Sequence, residues 1–156
     1  MARIDPAEVV GGINAVAFLD MIAVSEGTAG KGNDGYNVLY GGGLFDGYED
    51  HPRQRLTFAG VTSTAAGRYQ LLSKYYDAYK ASLGLPDFSP LSQDLIALQQ
   101  IKECRAIPLI EAGNLEAAIE KCSHIWASFP GAGYGQHEQR IGVLVKAYTD
   151  AGGVIS

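Results

Sequence analysis

Basic residues are in short supply. Twelve Lys and Arg stand against 17 Asp and Glu, a net charge of −5 over 156 residues. A chain with no basic excess makes a poor partner for nucleic acid, and none is expected. Histidine occurs only at 51, 124 and 137, without HExxH or paired spacing, so no metal site is expected. Cys104 and Cys122 lack CxxC spacing and read as core thiols, with a bridge between them left open. No GxxxxGK[ST] or GxGxxG cradle is present, and no GxSxG nucleophile motif. No cofactor is expected. No apolar core flanked by basic residues opens the chain, and Val9 to Leu19, bounded by Glu8 and Asp20, is too short to span a bilayer. The protein is therefore expected to be made in the cytosol without an export signal.

What is present suits one domain over residues 1–156, long enough to bury about 70% of its unfolded surface. The most apolar run, Ile13 to Val24, is interrupted only by Asn14 and Asp20. It reads as a helix buried on most sides, starting near Asn14 as N-cap and stopped by Gly27. Glu26 then sits in the last turn, where the partial negative charge of the helix end and the apolar surroundings of Ala23 and Val24 both penalise a carboxylate. A carboxylic acid still protonated near neutral pH can donate a proton. The plainer reading of Glu26 is a solvated residue at a frayed helix end.

Asp5-Pro6-Ala7-Glu8 looks like a helix start, and Gly11-Gly12 limits it to a short arm over 1–13. The 20 glycines cluster in 27–67 and 131–135, which predicts loops and turns there. Tyr36 to Tyr40, Arg55 to Phe58 and Gly60 to Ser63 are short strand candidates. From Gln70 the period is helical: Leu72, Tyr75, Tyr76, Tyr79 and Leu83 up to Gly84, with the tyrosines read as core. Leu91, Leu95 and Leu98 follow Ser89-Pro90, a turn follows Pro108, and Asn114 caps a helix with Leu115, Ala118, Ile119 and Cys122. The last helix carries Ile141, Leu144, Val145 and Tyr148. The fold class is α+β: helices around one buried helix, with a small sheet inserted early.

Two further stretches carry candidate binding residues. Ser63 to Gln70 passes from small residues to Arg68, Tyr69 and Gln70, a ring and hydrogen-bond donors of the kind that hold a sugar. Tyr69 in the core is the alternative. Phe129 to Gln136 sets Tyr134 among glycines, as a lid over a polymer would, or as a plain surface loop.

Ser25-Glu26-Gly27-Thr28 followed by Ala66-Gly67-Arg68-Tyr69-Gln70 resembles the lysozyme superfamily. Ala17 to Met21, Asp50 to Arg53, Asp87 to Pro90, Ala97 to Glu103, Ile125 to Ser128 and Pro130 to Gln136 extend the likeness, which resembles more closely the lambda-type endolysins, a family of lytic transglycosylases. It covers about residues 16 to 153. The resemblance implies a lysozyme-like fold, Glu26 as the single catalytic residue, and a glycan cleft formed by Tyr36, Ser63, Gly67, Arg68, Tyr69, Gln70, Tyr134 and Gln136, with lips near 50–62 and 129–140. The chain departs from that pattern in a shorter loop between Glu26 and Tyr36, in Asn37 where the pattern has Asp, and in its N-terminal arm.

The resemblance implies cleavage of the bond between N-acetylmuramic acid and N-acetylglucosamine in peptidoglycan. A glycosidase that uses water normally needs two carboxylates. Glu26 acting first as acid and then as base, with the muramic acid C6 hydroxyl as nucleophile, would need one. Asp34, Asp46, Glu49 and Asp50 keep a hydrolytic lysozyme open, and a non-catalytic glycan-binding module is the alternative of another class. By resemblance the protein stays in the host cytoplasm, as a monomer, until a phage holin releases it to the wall.

Overall fold

The computed structural model describes residues 1–133 and 138–156. Its centre is helix α1, Gly12–Glu26, in which Ala15 to Leu19 and Met21 to Ala23 are all buried. An element apolar on every face has no solvent side and must be surrounded. Helix α6, Ile141–Asp150, α4, Ile107–Glu111, and α3, Pro90–Glu103, pack against it. Helix α5, Leu115–Cys122, closes the same core with Ala118, Ile119 and Cys122.

The helix begins earlier than expected. Gly11, at φ 93°, precedes it, and Asn14 lies inside the first turn. The Asn14 amide donates to the Ile110 carbonyl at 3.0 Å and its oxygen accepts from Val154 N–H at 2.9 Å, which joins α1 to α4 and the C-terminal segment. Pro6–Glu8 forms one turn of 3-10 helix, with Asp5 accepting from Ala7 N–H.

Among the described residues the sheet is one antiparallel hairpin, β1 Leu56–Phe58 with β2 Val61–Ser63, paired Leu56 to Ser63 and Phe58 to Val61. Tyr36 to Tyr40 is not a strand. Only isolated bridges form there, Val38 with Leu44 and Leu39 with Ala66, because the surrounding glycines turn the chain after each one. A second apolar cluster, Leu39, Phe45, Ala66, Leu71, Tyr76, Phe88 and Ile96, holds this glycine-rich half onto α3 and onto α2, Ser73–Leu83. Of the three tyrosines read as core on α2, Tyr76 is buried, Tyr79 partly so, and Tyr75 is exposed.

Of the leucines on α3, Leu95 and Leu98 are partly buried against the core. Leu91 is exposed, and the buried face carries Ser92, Gln93, Asp94, Ile96, Ala97, Gln100 and Ile101. Polar residues occupy the inward positions because they serve the network described next. Both cysteines are buried free thiols. Among the described residues, no helix is long and apolar enough to cross a membrane.

Candidate active site

Glu26 is the last residue of α1. Gly27, at φ 76°, ends the helix with its N–H returned to the Ala23 and Val24 carbonyls, and no basic residue lies in that last turn. Glu26 as a residue is partly exposed, while Ser25 and Thr28 on either side of the helix end are buried. Burial raises its pKa from the ordinary 4.5 to about 7, and a hydrogen bond from Ser128 works in the opposite direction. Ser128 is itself buried, with its hydroxyl 2.7 Å from that of Ser25. Segment 123–129 is placed by Trp126, whose indole N–H donates to the Tyr69 carbonyl at 3.1 Å.

Behind this helix end lies a buried polar network. The Arg68 guanidinium, 1% exposed, donates to Asp20 at 2.8 Å, to the Asp34 carbonyl at 3.0 Å and to the Tyr69 hydroxyl at 3.1 Å. Tyr69 and Tyr36 donate to Asp94 at 2.6 and 2.8 Å. The other Asp94 oxygen accepts from Arg3 and Ile4 N–H at 2.7 and 3.0 Å. Ala2 N–H donates to Asp20 at 2.7 Å, so the N-terminal arm completes the network. Burial, then the Asp94 charge, raises the pKa of both Tyr36 and Tyr69, which keeps them protonated as donors.

These facts place the expected cleft residues. Tyr36, Arg68 and Tyr69 are closed off at 0%, 1% and 5% exposure, so they present no ring or guanidinium face to a sugar. Their polar atoms are already used within the network, and their role is support. Gly67 is buried too, at φ 84°, and a Cβ there would meet Gln93 and, at 2.9 Å, the Phe88 ring. Close approach to Gln93 therefore requires glycine. Gln93 itself accepts from Arg68 N–H at 2.9 Å and donates to the Tyr36 and Phe88 carbonyls.

Gln70 and Ser63 remain partly exposed. Gln70 holds a left-handed backbone at φ 54°, with its amide N–H donated to the Gly67 carbonyl at 2.9 Å. Ser63 accepts from Ala65 N–H at 3.0 Å. Tyr134 and Gln136 lie outside the described residues.

The four other carboxylates considered for a second catalytic role are engaged elsewhere or open to solvent. Burial acts to raise the Asp34 pKa, but hydrogen bonds from the chain's amino group and Gly30 N–H, with the Arg68 charge, hold it below 3.8. The Arg53 guanidinium lowers that of Asp50. Asp46 and Glu49 are exposed. Among the described residues no carboxylate charge contributes to the Glu26 shift. His51 is a core histidine: its Nε2 meets the Leu71 carbonyl at 2.8 Å and Nδ1 accepts from Arg53 N–H. No group of three or more His, Cys, Asp or Glu among the described residues is placed to hold a metal.

Sequence reasoning passed over Asp20, Thr28, Gln93, Asp94 and Ser128 as site residues. The available signal was polarity out of place: Asp20 is a charge within an apolar run, and Gln93-Asp94 sit on a helix that must bury a face.

Comparison with known proteins gives a consistent result. The endolysin family model matches residues 16–155. The endolysin of Escherichia phage lambda is 54% identical over 144 residues, which cover 89% of this chain and 91% of that protein. The endolysin of Escherichia phage P2 is 49% identical over 155 residues, 90% of this chain and 94% of the other. The structure of bacteriophage lambda lysozyme complexed with a chitohexasaccharide superposes with a TM-score of 0.89 at 50% identity, over 100% of both chains.

Proposed function

The chain belongs to the endolysin family of peptidoglycan-degrading enzymes, and from that premise we propose that it is a lytic transglycosylase with Glu26 as its one catalytic group. The observation that carries this reading is the Glu26 pKa of about 7, with no second carboxylate acting on it among the described residues.

At neutral pH a large fraction of Glu26 is protonated. It gives its proton to the oxygen joining N-acetylmuramic acid to N-acetylglucosamine, and the bond from C1 to that oxygen breaks. The muramic acid C6 hydroxyl attacks C1 and returns its proton to the Glu26 carboxylate. A 1,6-anhydro ring forms, no water is consumed, and the acid is regenerated. Tethering of the nucleophile replaces the second carboxylate of a hydrolase. Gln70 and Ser63, the expected contact residues that keep accessible surface, contact the glycan, and Tyr134 and Gln136 are further contact residues by the family resemblance. The chitohexasaccharide bound by the lambda enzyme points to a chito-oligosaccharide as a competitor for this cleft. The chain acts as one catalytic unit over 1–156, as a monomer that reaches the wall when a holin opens the inner membrane.

The test is mass spectrometry of fragments released from purified peptidoglycan in ¹⁸O-labelled water. Unlabelled ends bearing 1,6-anhydro-N-acetylmuramic acid support the proposal. Labelled reducing ends as the main product would overturn it in favour of a hydrolytic lysozyme.

A further inference from the structure

We propose that Cys104 and Cys122 are a redox pair that closes into a disulfide when the protein meets a disulfide oxidant, fastening the end of α3 to the end of α5. Cys104 caps α3 and Cys122 is the last residue of α5. Both side chains lie buried in one apolar cluster, and each thiol acts on the other's pKa. Their surroundings differ. Cys122 has no accessible surface, whereas Cys104 is 8% exposed and borders a surface groove. His124 Nε2 stands 3.9 Å from the Cys104 sulfur, and Arg105 and Lys121 line the same groove beside Glu103 and Glu120. Of the two residues, only Cys104 keeps accessible surface.

The order of events follows. Cys104 borders the groove while Cys122 is enclosed, and the neighbouring Cys122 also lowers the Cys104 pKa against the opposing effect of burial, so Cys104 is the attacking thiolate. It attacks one sulfur of an oxidant RSSR, forming a Cys104 mixed disulfide and releasing one RS group. The Cys122 sulfur then attacks the Cys104 sulfur, which forms the bridge and releases the second RS group. The two thiols are oxidised, RSSR is reduced to two RSH, and the two cysteine protons end on those products. Such oxidants are found outside the cytoplasm, where the cell wall lies. The bridge would steady the turn leading from α5 to Trp126 and Ser128, the segment that reaches Glu26.

Reduced protein should be incubated with oxidised and reduced glutathione at rising ratios, quenched by alkylation, and read by intact mass and peptide mapping. Expected are a loss of two hydrogens, simultaneous protection of both thiols, a peptide linked from 104 to 122, and a Tm several degrees above that of the reduced form. Cys122→Ser should stop at one glutathione on Cys104. A wild-type end product carrying glutathione on Cys104 would overturn the pairing, as would a disulfide-linked dimer or two thiols still alkylated under strongly oxidising conditions. A bridge with no rise in Tm would overturn the fastening role. None of these readouts depends on activity, so the outcome is independent of the transglycosylase reading.

Discussion

Thr28 donates its hydroxyl to the carbonyl of Arg68 at 2.6 Å, joining the helix end that carries Glu26 to a turn forty residues further on. The same hydroxyl reaches the Ala23 carbonyl at 3.3 Å. The two most informative stretches of sequence are thereby one structural unit. Arg68 uses its backbone to hold Thr28 and its side chain to hold Asp20 on α1. The position of Glu26 is therefore fixed from the far side of the helix end as well as from within α1.

Replacing Glu26 by Gln tests the catalytic assignment. Lytic activity should fall by at least about 10²–10⁴-fold, the usual contribution of general acid catalysis. The fold should remain, since shape is kept. Turbidity clearance and far-UV circular dichroism measure the two effects, and near wild-type clearance would remove Glu26 from the mechanism.

The same variant has a second consequence for stability. A carboxyl whose folded pKa is raised from 4.5 to about 7 destabilises the fold as pH rises through that window, because the unfolded state ionises first. Below pH 4.5 the penalty is absent, and above about 7 it is complete, at most roughly 3 kcal/mol. Glu26→Gln should therefore melt higher than wild type at pH 8, with the difference shrinking toward pH 4. Equal melting temperatures at both pH values would mean that Glu26 is solvated in the folded protein.

Asp94→Ala should cost roughly 3–5 kcal/mol, because it strands the Tyr36 and Tyr69 hydroxyls and the Ile4 amide in the interior. Urea unfolding monitored by tryptophan fluorescence measures it, and a loss under about 1 kcal/mol would mean that water replaces the carboxylate.

This network also marks where the sequence stopped being readable. Helix α1 and its end were legible because an unbroken apolar run and a following glycine admit few other structures. The β1–β2 hairpin was legible from its own residues. Helix α3 was found, but its buried face was not: Gln93 and Asp94 face inward to partners at Arg68 and Tyr36 that local sequence cannot reveal. For the same reason Asn14 looked like a cap when its bonds run to Ile110 and Val154. Tyr69 matched a sugar-binding composition, and the resemblance added Tyr36, yet neither distinguishes a ring beneath the cleft from one lining it.

Gly67→Ala should destabilise the protein by about 2 kcal/mol or more. It combines a left-handed backbone with a Cβ placed against Gln93 and the Phe88 ring. Thermal melting checks it, and a stable variant with weakened glycan binding would return Gly67 to the cleft.

Ser128→Ala addresses the tuning of Glu26. The Ser128 hydroxyl hydrogen-bonds to the carboxylate and so favours the ionised form, opposing the larger effect of burial. Its removal leaves burial unopposed and raises the Glu26 pKa further. Glu26 must be protonated to begin the reaction, so the alkaline limb of kcat/KM, near pH 7 in wild type, should move to higher pH in the variant. Ser25, 2.7 Å from Ser128, loses a partner in the same substitution, so some loss of Tm is expected but does not produce the shift. With one catalytic carboxyl no acidic limb should appear above the acid transition of the fold, whereas a hydrolase would show one from its second carboxylate. The measurement is a pH–rate profile for both proteins on the same peptidoglycan. An alkaline limb that stays in place, or moves to lower pH, would show that Ser128 does not hold the Glu26 carboxylate.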